Sequence, residues 1–421
     1  MLGLGIFYEY LEILRNCLWN LFQKYAHTFI IFPSQTVNHR NDDNSMIQEK
    51  TYKIGLLTNE IPPIIYGGVA TWIVNFMKMF QNNDTYEVIP IFLAYNDPLP
   101  ECVKDKYPNI RVIESPADLH DTFKDIDICV NNLWIALDTI EQIKQLFPEL
   151  PICSVCHSLI RMENITNLGS CYTSNFNDQE VTFQMSDYVI LISDAEEVHY
   201  NNFHYNQFPA KTKRIYNPYE PKFDDTHIDV NYYSNCIGYI GRHVPRKRPE
   251  LALMSVVKHA IKNVFVINMG VDNDRYENSY WNLLEKTYKD ILTIIPFTSD
   301  KQVKEDYFKK IGANVHSAIY EPLGYVPLEC LDRRVPLIVA NIDGPKEIIK
   351  GVEEYVYPYT VDIGDYPSDI DNCSLAIKKY LDTPPSIRKL NAQRARQALD
   401  KFRPEQIVKE WISLFEDILV I

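Results

Sequence analysis

Two textures alternate along the chain from residue 52 onward: short apolar runs, and longer segments whose apolar residues recur at helical spacing. The runs at 52–57, 88–93, 126–131, 152–156 and 188–193 read as strands, with a first helix expected over 69–80. Asn217-Pro218-Tyr219 and the polar stretch 220–234 interrupt this alternation, which restarts at 236–240 and continues through 264–269, 292–295, 313–316 and 336–340. Strands separated by helical segments predict parallel sheets with crossover helices. The expectation is an α/β chain of two doubly wound, Rossmann-like parallel-sheet units. A closing amphipathic helix is expected over 404–421, opened by Pro404 and carrying Ile407, Trp411, Leu414, Phe415 and Ile418 on its apolar side.

The first fifty residues follow a different pattern. Phe7, Tyr10, Leu11, Leu14, Leu18, Leu21 and Phe22 share one helical stripe, and Glu9, Glu12, Arg15 and Lys24 interrupt the segment too often for a signal peptide or a membrane span. An amphipathic helix is expected, either packed on protein or lying at a membrane surface; its polar face lacks the basic residues that anionic lipid favours. Residues 34–50 are polar and aperiodic, as in a linker.

Composition narrows the function classes. A chain of 421 residues with 46% hydrophobic content is long enough for two cores. Its formal charge of −14 opposes binding to nucleic acid, so any phosphate ligand must be held by a few local cations. Nine cysteines, an odd number scattered along a long chain, do not form a disulfide framework and favour a reducing, cytoplasmic setting. The sequons at Asn83, Asn164 and Asn372 are expected by chance in a chain so rich in Asn.

The sharpest chemical signal is Glu321-Pro-Leu-Gly-Tyr-Val-Pro-Leu-Glu329, directly after an expected strand. Gly324 permits a tight turn, and a helix starting near Tyr325 would direct free N–H groups, including that of Val326, at an anion. Glu321 would precede the helix and Glu329 would lie one turn inside it, on the face of Tyr325. Carboxylates accept hydrogen bonds from vicinal hydroxyls, so a pair flanking an anion site suits a sugar on one side and a ribose on the other.

The segment from Glu321 to Ile349, ending in Asn341-Ile-Asp-Gly-Pro-Lys-Glu-Ile-Ile, resembles the signature of the retaining glycosyltransferase family 4, the glycosyl transferases group 1. Ile240-Gly-Arg-His-Val-Pro-Arg-Lys-Arg-Pro-Glu-Leu is similar to the family's Gly-Arg turn and basic loop, Lys213-Arg-Ile-Tyr-Asn-Pro to its domain junction, and the stretch from Pro62 to Ala70 to its N-terminal Gly-Gly loop. Together these cover most of the chain from Lys53 to Leu419.

The resemblance implies a GT-B fold, two Rossmann-like domains facing across a cleft. Residues 1–50 would form an extension, 51–219 the acceptor-side domain, 220–403 the nucleotide-sugar domain and 404–421 the closing helix. The implied activity moves a sugar from a nucleotide-diphosphate sugar to a glycan, lipid or protein acceptor with retention of anomeric configuration. It also implies roles: Arg242 and Lys247 as a diphosphate clamp, Glu321 and His157 at the transferred sugar, and Glu329 at the ribose. Gly67, Gly68 and the backbone of Gly324, Tyr325 and Val326 would border the donor. Two alternatives are a sugar-nucleotide 2-epimerase and an inactive protein that binds a nucleotide-sugar or glycan.

No metal or other cofactor is expected, since fixed cations can stabilise a leaving diphosphate. Asp125-Ile-Asp127 matches the metal-binding motif of the other major glycosyltransferase fold, but its setting fits a strand start. Cys153-Ser-Val-Cys-His157 matches the spacing of covalent haem attachment, yet it lies on an expected core strand where thiols are inaccessible. Relative to the family, Asp343 stands where a glycine is frequent and Cys330 where an alanine is; altered packing is the expected consequence.

Overall fold

The computed structural model describes residues 50–64, 67–94, 99–133, 137–167, 175–224, 230–271 and 280–420. Apolar runs become strands buried on both faces. Every residue of Ile152–Cys156, Ala313–His316 and Leu337–Ala340 is buried, as parallel strands between helical layers require.

Among the described residues, thirteen strands form two all-parallel sheets. The first contains β1 (Tyr52–Thr58), β2 (Tyr86–Leu93), β3 (Arg111–Ile113), β4 (Ile128–Asn131), β5 (Ile152–Cys156), β6 (Tyr188–Leu191) and β7 (Lys211–Arg214), in the order β3-β2-β1-β4-β5-β6-β7. The second contains β8 (Cys236–Ile240), β9 (Phe265–Val271), β10 (Leu292–Pro296), β11 (Ala313–His316), β12 (Leu337–Ala340) and β13 (Tyr357–Tyr359), in the order β10-β9-β8-β11-β12-β13. Strand order reverses between β1 and β4 in one sheet and between β8 and β11 in the other. A crevice opens at such a switch point, outside the carboxyl ends of the strands.

Seven helices matter to that crevice: α1 (Gly68–Phe80), α2 (Ile160–Thr166), α3 (Asp194–Asn202), α4 (Lys301–Lys310), α5 (Tyr325–Asp332), α6 (Asp343–Ile349) and α7 (Pro404–Leu419). The carboxyl-end loops of the two sheets meet. The Leu159 amide after β5 donates to the Tyr320 hydroxyl after β11 at 2.8 Å, and the Arg246 guanidinium after β8 reaches Glu163 of α2 at 2.7 Å. At the start of α3 the amides of Asp194 and Ala195 donate to Glu347 of α6 at 3.0 and 2.7 Å, a carboxylate from one domain closing a helix end of the other. The fold is therefore two Rossmann-like domains facing across a cleft, as the sequence pattern predicts.

Three strands escape the sequence pattern, namely β3, β7 and β13. All three lie at sheet edges, where charges and proline are tolerated and no apolar run is needed: Arg111-Val-Ile, Lys211-Thr-Lys-Arg and Tyr357-Pro-Tyr. Just before β4, the Asp127 carboxylate accepts the Lys53 amide at 2.8 Å and the Lys50 ammonium, and its own amide donates to the Lys53 carbonyl. Asp125 pairs with Lys53 and Arg111. Both aspartates of the Asp-x-Asp segment thus sit at the amino end of the sheet, away from the cleft. Cys153 and Cys156 are fully buried free thiols on β5.

The N-terminal amphipathic segment and nearly all of the linker at 34–50 fall outside the described residues. Among the described residues no helix is long and apolar enough to cross a membrane.

After leaving the second sheet the chain returns to the first, where α7 packs on α1. The Trp411 ring lies 6.0 Å from Trp72 and 5.0 Å edge-on from Phe76, and Phe415 lies 5.8 Å from Phe80. Trp411 is 1% exposed, so Trp411→Ala leaves a large cavity with little means to collapse. We expect this substitution to cost about 3–5 kcal/mol, read as a lower midpoint in urea unfolding; a loss below about 1 kcal/mol, the range of peripheral sites, would show that α7 is not part of the core.

Candidate active site

The loop after β11 carries the carboxylate from which the rest of the crevice can be traced. Glu321 forms an ion pair with the Lys247 ammonium and lies 3.2 Å from His316 Nε2 at the end of β11. Burial alone would favour the neutral acid, but Lys247 and then His316 overcome it and hold Glu321 well below the usual carboxylate range. Burial also pushes the Lys247 ammonium down, to about 8, against the attraction of Glu321. The pair is therefore ionised at neutral pH, and Lys247 is the member that loses its charge as pH rises.

Backbone contacts fix both loops. Ser317 Oγ donates to the carbonyls of Lys247 and Arg248 at 2.8 Å each, and the Ile319 amide donates to the Arg246 carbonyl at 2.9 Å. On the other side the Gly344 amide donates to the Glu321 carbonyl at 3.1 Å. A Cβ on Gly344 would come within 2.2 Å of the Leu323 backbone, so only glycine allows α6 to approach this closely.

The three adjacent basic residues divide their duties. Arg246 is 3% exposed and spent on Glu163 and on the Tyr320 carbonyl; Arg248 is buried in an ion pair with Asp369. Lys247 alone faces Glu321. Arg242, at the turn after β8, is exposed, and its guanidinium makes no hydrogen bond or ion pair among the described residues. It acts electrostatically on Lys247 and, across the cleft, on Glu60. Arg242 is thus a cation with its donors available.

α5 begins where this charge cluster ends. Its N-cap, Gly324, has φ +99°, a conformation that disfavours side chains, and the amides of Tyr325 and Val326 have no intrahelical acceptor. The next position is Pro327, which has no N–H to satisfy. Glu329 lies one turn further on. Its Oε1 accepts from Lys304 Nζ at 2.8 Å, whereas Oε2 is buried without a hydrogen-bond partner. Both glutamates are mostly buried, with side chains 13% and 16% exposed, unlike a solvated surface pair.

The first domain supplies the opposite wall. A Cβ on Gly67 would stand 3.5 Å from the Glu60 carboxylate and one on Gly68 3.9 Å from the Tyr325 ring, both ordinary contacts. Protein packing does not demand glycine at either position, and Gly68 brings the first domain's loop against Tyr325 of α5. His157, after β5, has Nε2 2.8 Å from Asn132 Oδ1 and its ring edge-on to Trp72 at 5.2 Å. With Asn132 Oδ1 as acceptor, Nε2 carries the proton and Nδ1 is the acceptor. Burial pushes this histidine down to about 3, so it is neutral at all ordinary pH.

Glu60, Asn132, His316 and Lys304 were not singled out from sequence. A polar residue ending a buried strand, as His316 does, was a usable signal; Lys304, within Lys301-Gln-Val-Lys-Glu-Asp, looks like any solvated helix face. Asp343, the departure from glycine, has φ +44°, pairs with His199 Nε2 of the first domain at 3.0 Å and lies 3.4 Å from the Glu321 amide. A cavity of about 210 Å³ between α1 and α7 is lined by none of these residues; its lysine, Lys78, is paired with Glu220.

Exposed Arg242, Lys247 beside Glu321, the first two amides of α5 and the half-bonded Glu329 carboxylate are groups with capacity for an anion and for hydroxyl donors.

Residues 227–396 match the family model of Glycosyl transferases group 1. No curated protein matches the chain. Among solved structures the chain is similar to a sucrose-phosphate synthase from Thermosynechococcus elongatus, with TM-score 0.65 and 17% identity over 88% of this chain and 99% of that one. It is also similar to HepE from Anabaena in complex with UDP-glucose, with TM-score 0.63 and 16% identity over 87% and 99%. A third is a TarM variant from S. aureus, with TM-score 0.63 and 13% identity over 87% and 100%. At these identities the likeness shows the GT-B fold. The domain match and the fold together support a glycosyltransferase of GT-B architecture.

A testable consequence follows from the buried lysine. Protonated Lys247 favours an anion, so the affinity for a nucleoside diphosphate should hold steady from pH 7 to about 8 and then fall, approaching tenfold per pH unit. Lys247→Arg, which stays charged, should flatten the profile in calorimetric titrations with uridine diphosphate; the same decline in both proteins would assign the titration to another group.

Proposed function

We propose that this protein transfers a sugar from a nucleotide-diphosphate sugar to a glycan, lipid or protein acceptor with retention of anomeric configuration, as in glycosyltransferase family 4. The observation that supports the proposal is the ion pair of Lys247 with Glu321 just before the start of α5, with Glu329 one turn inside that helix.

In this reading Arg242, Lys247 and the amides of Tyr325 and Val326 take the diphosphate. As the bond from the sugar to the leaving oxygen breaks, that oxygen gains negative charge, and fixed cations stabilise it more in the transition state than in the ground state. No metal is required for that task. The acceptor hydroxyl forms its new bond on the face from which the diphosphate departs, and its proton passes to the leaving phosphate oxygen. No enzyme nucleophile enters. Glu321, held by Lys247 and His316, orients hydroxyls of the transferred sugar, and neutral His157 offers Nδ1 as an acceptor beside it. Glu329 binds the ribose, and Gly67 and Gly68 leave room for the donor and the incoming acceptor.

Buried free thiols in both domains, among them Cys129, Cys153 and Cys330, support a reducing compartment, and we assign the protein to the cytoplasm. Contact with a membrane through the N-terminal segment is compatible with this.

Thermal shifts with uridine, guanosine and adenosine diphosphate sugars should identify the donor, because a ligand of the folded state raises apparent stability. Labelled donor should then pass its sugar to an acceptor. Conversion of the donor alone would mark an epimerase, and binding without turnover an inactive protein. Lys247→Ala should weaken nucleoside diphosphate binding by about 1.5–3 kcal/mol, the worth of a charge-assisted hydrogen bond; unchanged affinity in calorimetry would remove Lys247 from the site.

A further inference from the structure

We infer that Lys304 is a positioning residue that sets the ribose selectivity of the site by fixing the Glu329 carboxylate. The inference rests on the proposed contact between Glu329 and the donor ribose.

α4 is rich in charge, and Lys301, Gln302, Asp306, Lys309 and Lys310 are exposed. Lys304 is not on that face. It lies one turn before Tyr307 and Phe308, which are 0% and 3% exposed and anchor the helix, and its own side chain is only 33% exposed. The stem therefore follows the inner face of α4, and Nζ ends 2.8 Å from Glu329 Oε1 on α5. The N-terminus of α4 is fixed in turn by Asp300, whose carboxylate accepts the Gln302 amide at 2.8 Å.

The second oxygen of Glu329 is what this contact leaves over. Oε2 is buried and accepts nothing among the described residues, a costly state for a carboxylate oxygen unless a ligand supplies a donor. Two vicinal hydroxyls are suitable donors, being neutral and close together. Lys304 is not the only cation nearby. Lys222 of the domain connector and Arg333 also act electrostatically on this carboxylate; burial, together with Arg333, Lys304 and Lys301, pushes the Lys222 ammonium down. Arg333 is tied to Glu305 at 2.5 Å, whereas among the described residues no carboxylate is bonded to the Lys222 ammonium. Without Lys304, Lys222 is the cation free to draw Glu329 toward the connector and away from the ribose. Lys304 keeps one oxygen on α4, so that the other remains an acceptor for the ligand.

The test compares uridine 5′-diphosphate with its 2′-deoxy form, and the guanosine and adenosine pairs in the same way, by calorimetry on the full chain. The protein should prefer the ribose form by about ten- to a hundredfold, the fold-change of one charge-assisted hydrogen bond. Lys304→Met should reduce this preference to within about threefold while changing the affinity for the 2′-deoxy form by less than that, and Lys304→Arg should restore it. Lys304→Gln serves as a second variant should the methionine protein unfold at a lower temperature. Glu329→Gln separates the two levels of inference. An unchanged preference in Glu329→Gln would overturn the ribose contact itself. A preference lost in Glu329→Gln but kept in Lys304→Met and Lys304→Gln would overturn the role of Lys304 alone, as would an equal loss of both nucleotide forms, which would make Lys304 a general anion contact.

Discussion

The ion pair between Lys247 and Glu321 is the constraint around which the candidate site is organised. A buried pair of charges recovers its desolvation cost only when further hydrogen bonds complete the shell. Here His316 adds to Glu321, and Ser317 ties the backbone of the basic loop to that of the acidic one. The pair therefore joins the turn after β8 to the turn after β11, the two strands that flank the switch point of the second sheet. A leaving diphosphate would meet a cation already desolvated and already in position, the condition under which electrostatic stabilisation is largest.

Domain closure works through the same loops. Tyr320, one residue before Glu321, donates its hydroxyl to buried Glu196 of the first domain at 2.8 Å and accepts the Leu159 amide. Burial raises the Glu196 carboxyl to about 7, despite the Tyr320 hydroxyl, so the contact is sensitive to its surroundings. Asp343 links His199 of the first domain to the Glu321 backbone. Burial opposes charge on His199, but Asp343 raises its pKa above the ordinary histidine value. A side chain that replaces a frequent glycine has thus become part of the interface.

Much of this was legible in sequence, for identifiable reasons. Central strands such as β5, β8 and β11 are buried on both faces, so their apolar runs give their bounds directly. Edge strands β3, β7 and β13 carry charge or proline and leave no such trace. At the site, spacing alone predicts Glu321 before a helix and Glu329 one turn within it, because helical geometry converts four residues into one turn. Spacing could not distribute the basic run at 246–248. Whether Arg246, Lys247 or Arg248 faces the crevice depends on a single turn of 3₁₀ helix and on Glu163 and Asp369, which are distant in sequence. Lys304 was hidden for the converse reason: its neighbours on α4 are solvated, and only the burial of Tyr307 and Phe308 reveals that its side is the inner one.

The charge of the chain as a whole bears on selectivity at the crevice. A net charge of −14 repels polyanions over the whole surface, while Lys247 is held by its ion pair with Glu321, four residues before the start of α5. Coulomb interactions are screened within about 8–10 Å at ordinary ionic strength, so a bound diphosphate responds chiefly to the groups that touch it. A long phosphate chain would have to satisfy the surface as well. On the proposed reading, the negative surface disfavours an extended polyanion, so a short anion held by a few local cations fits this chain better than a long one.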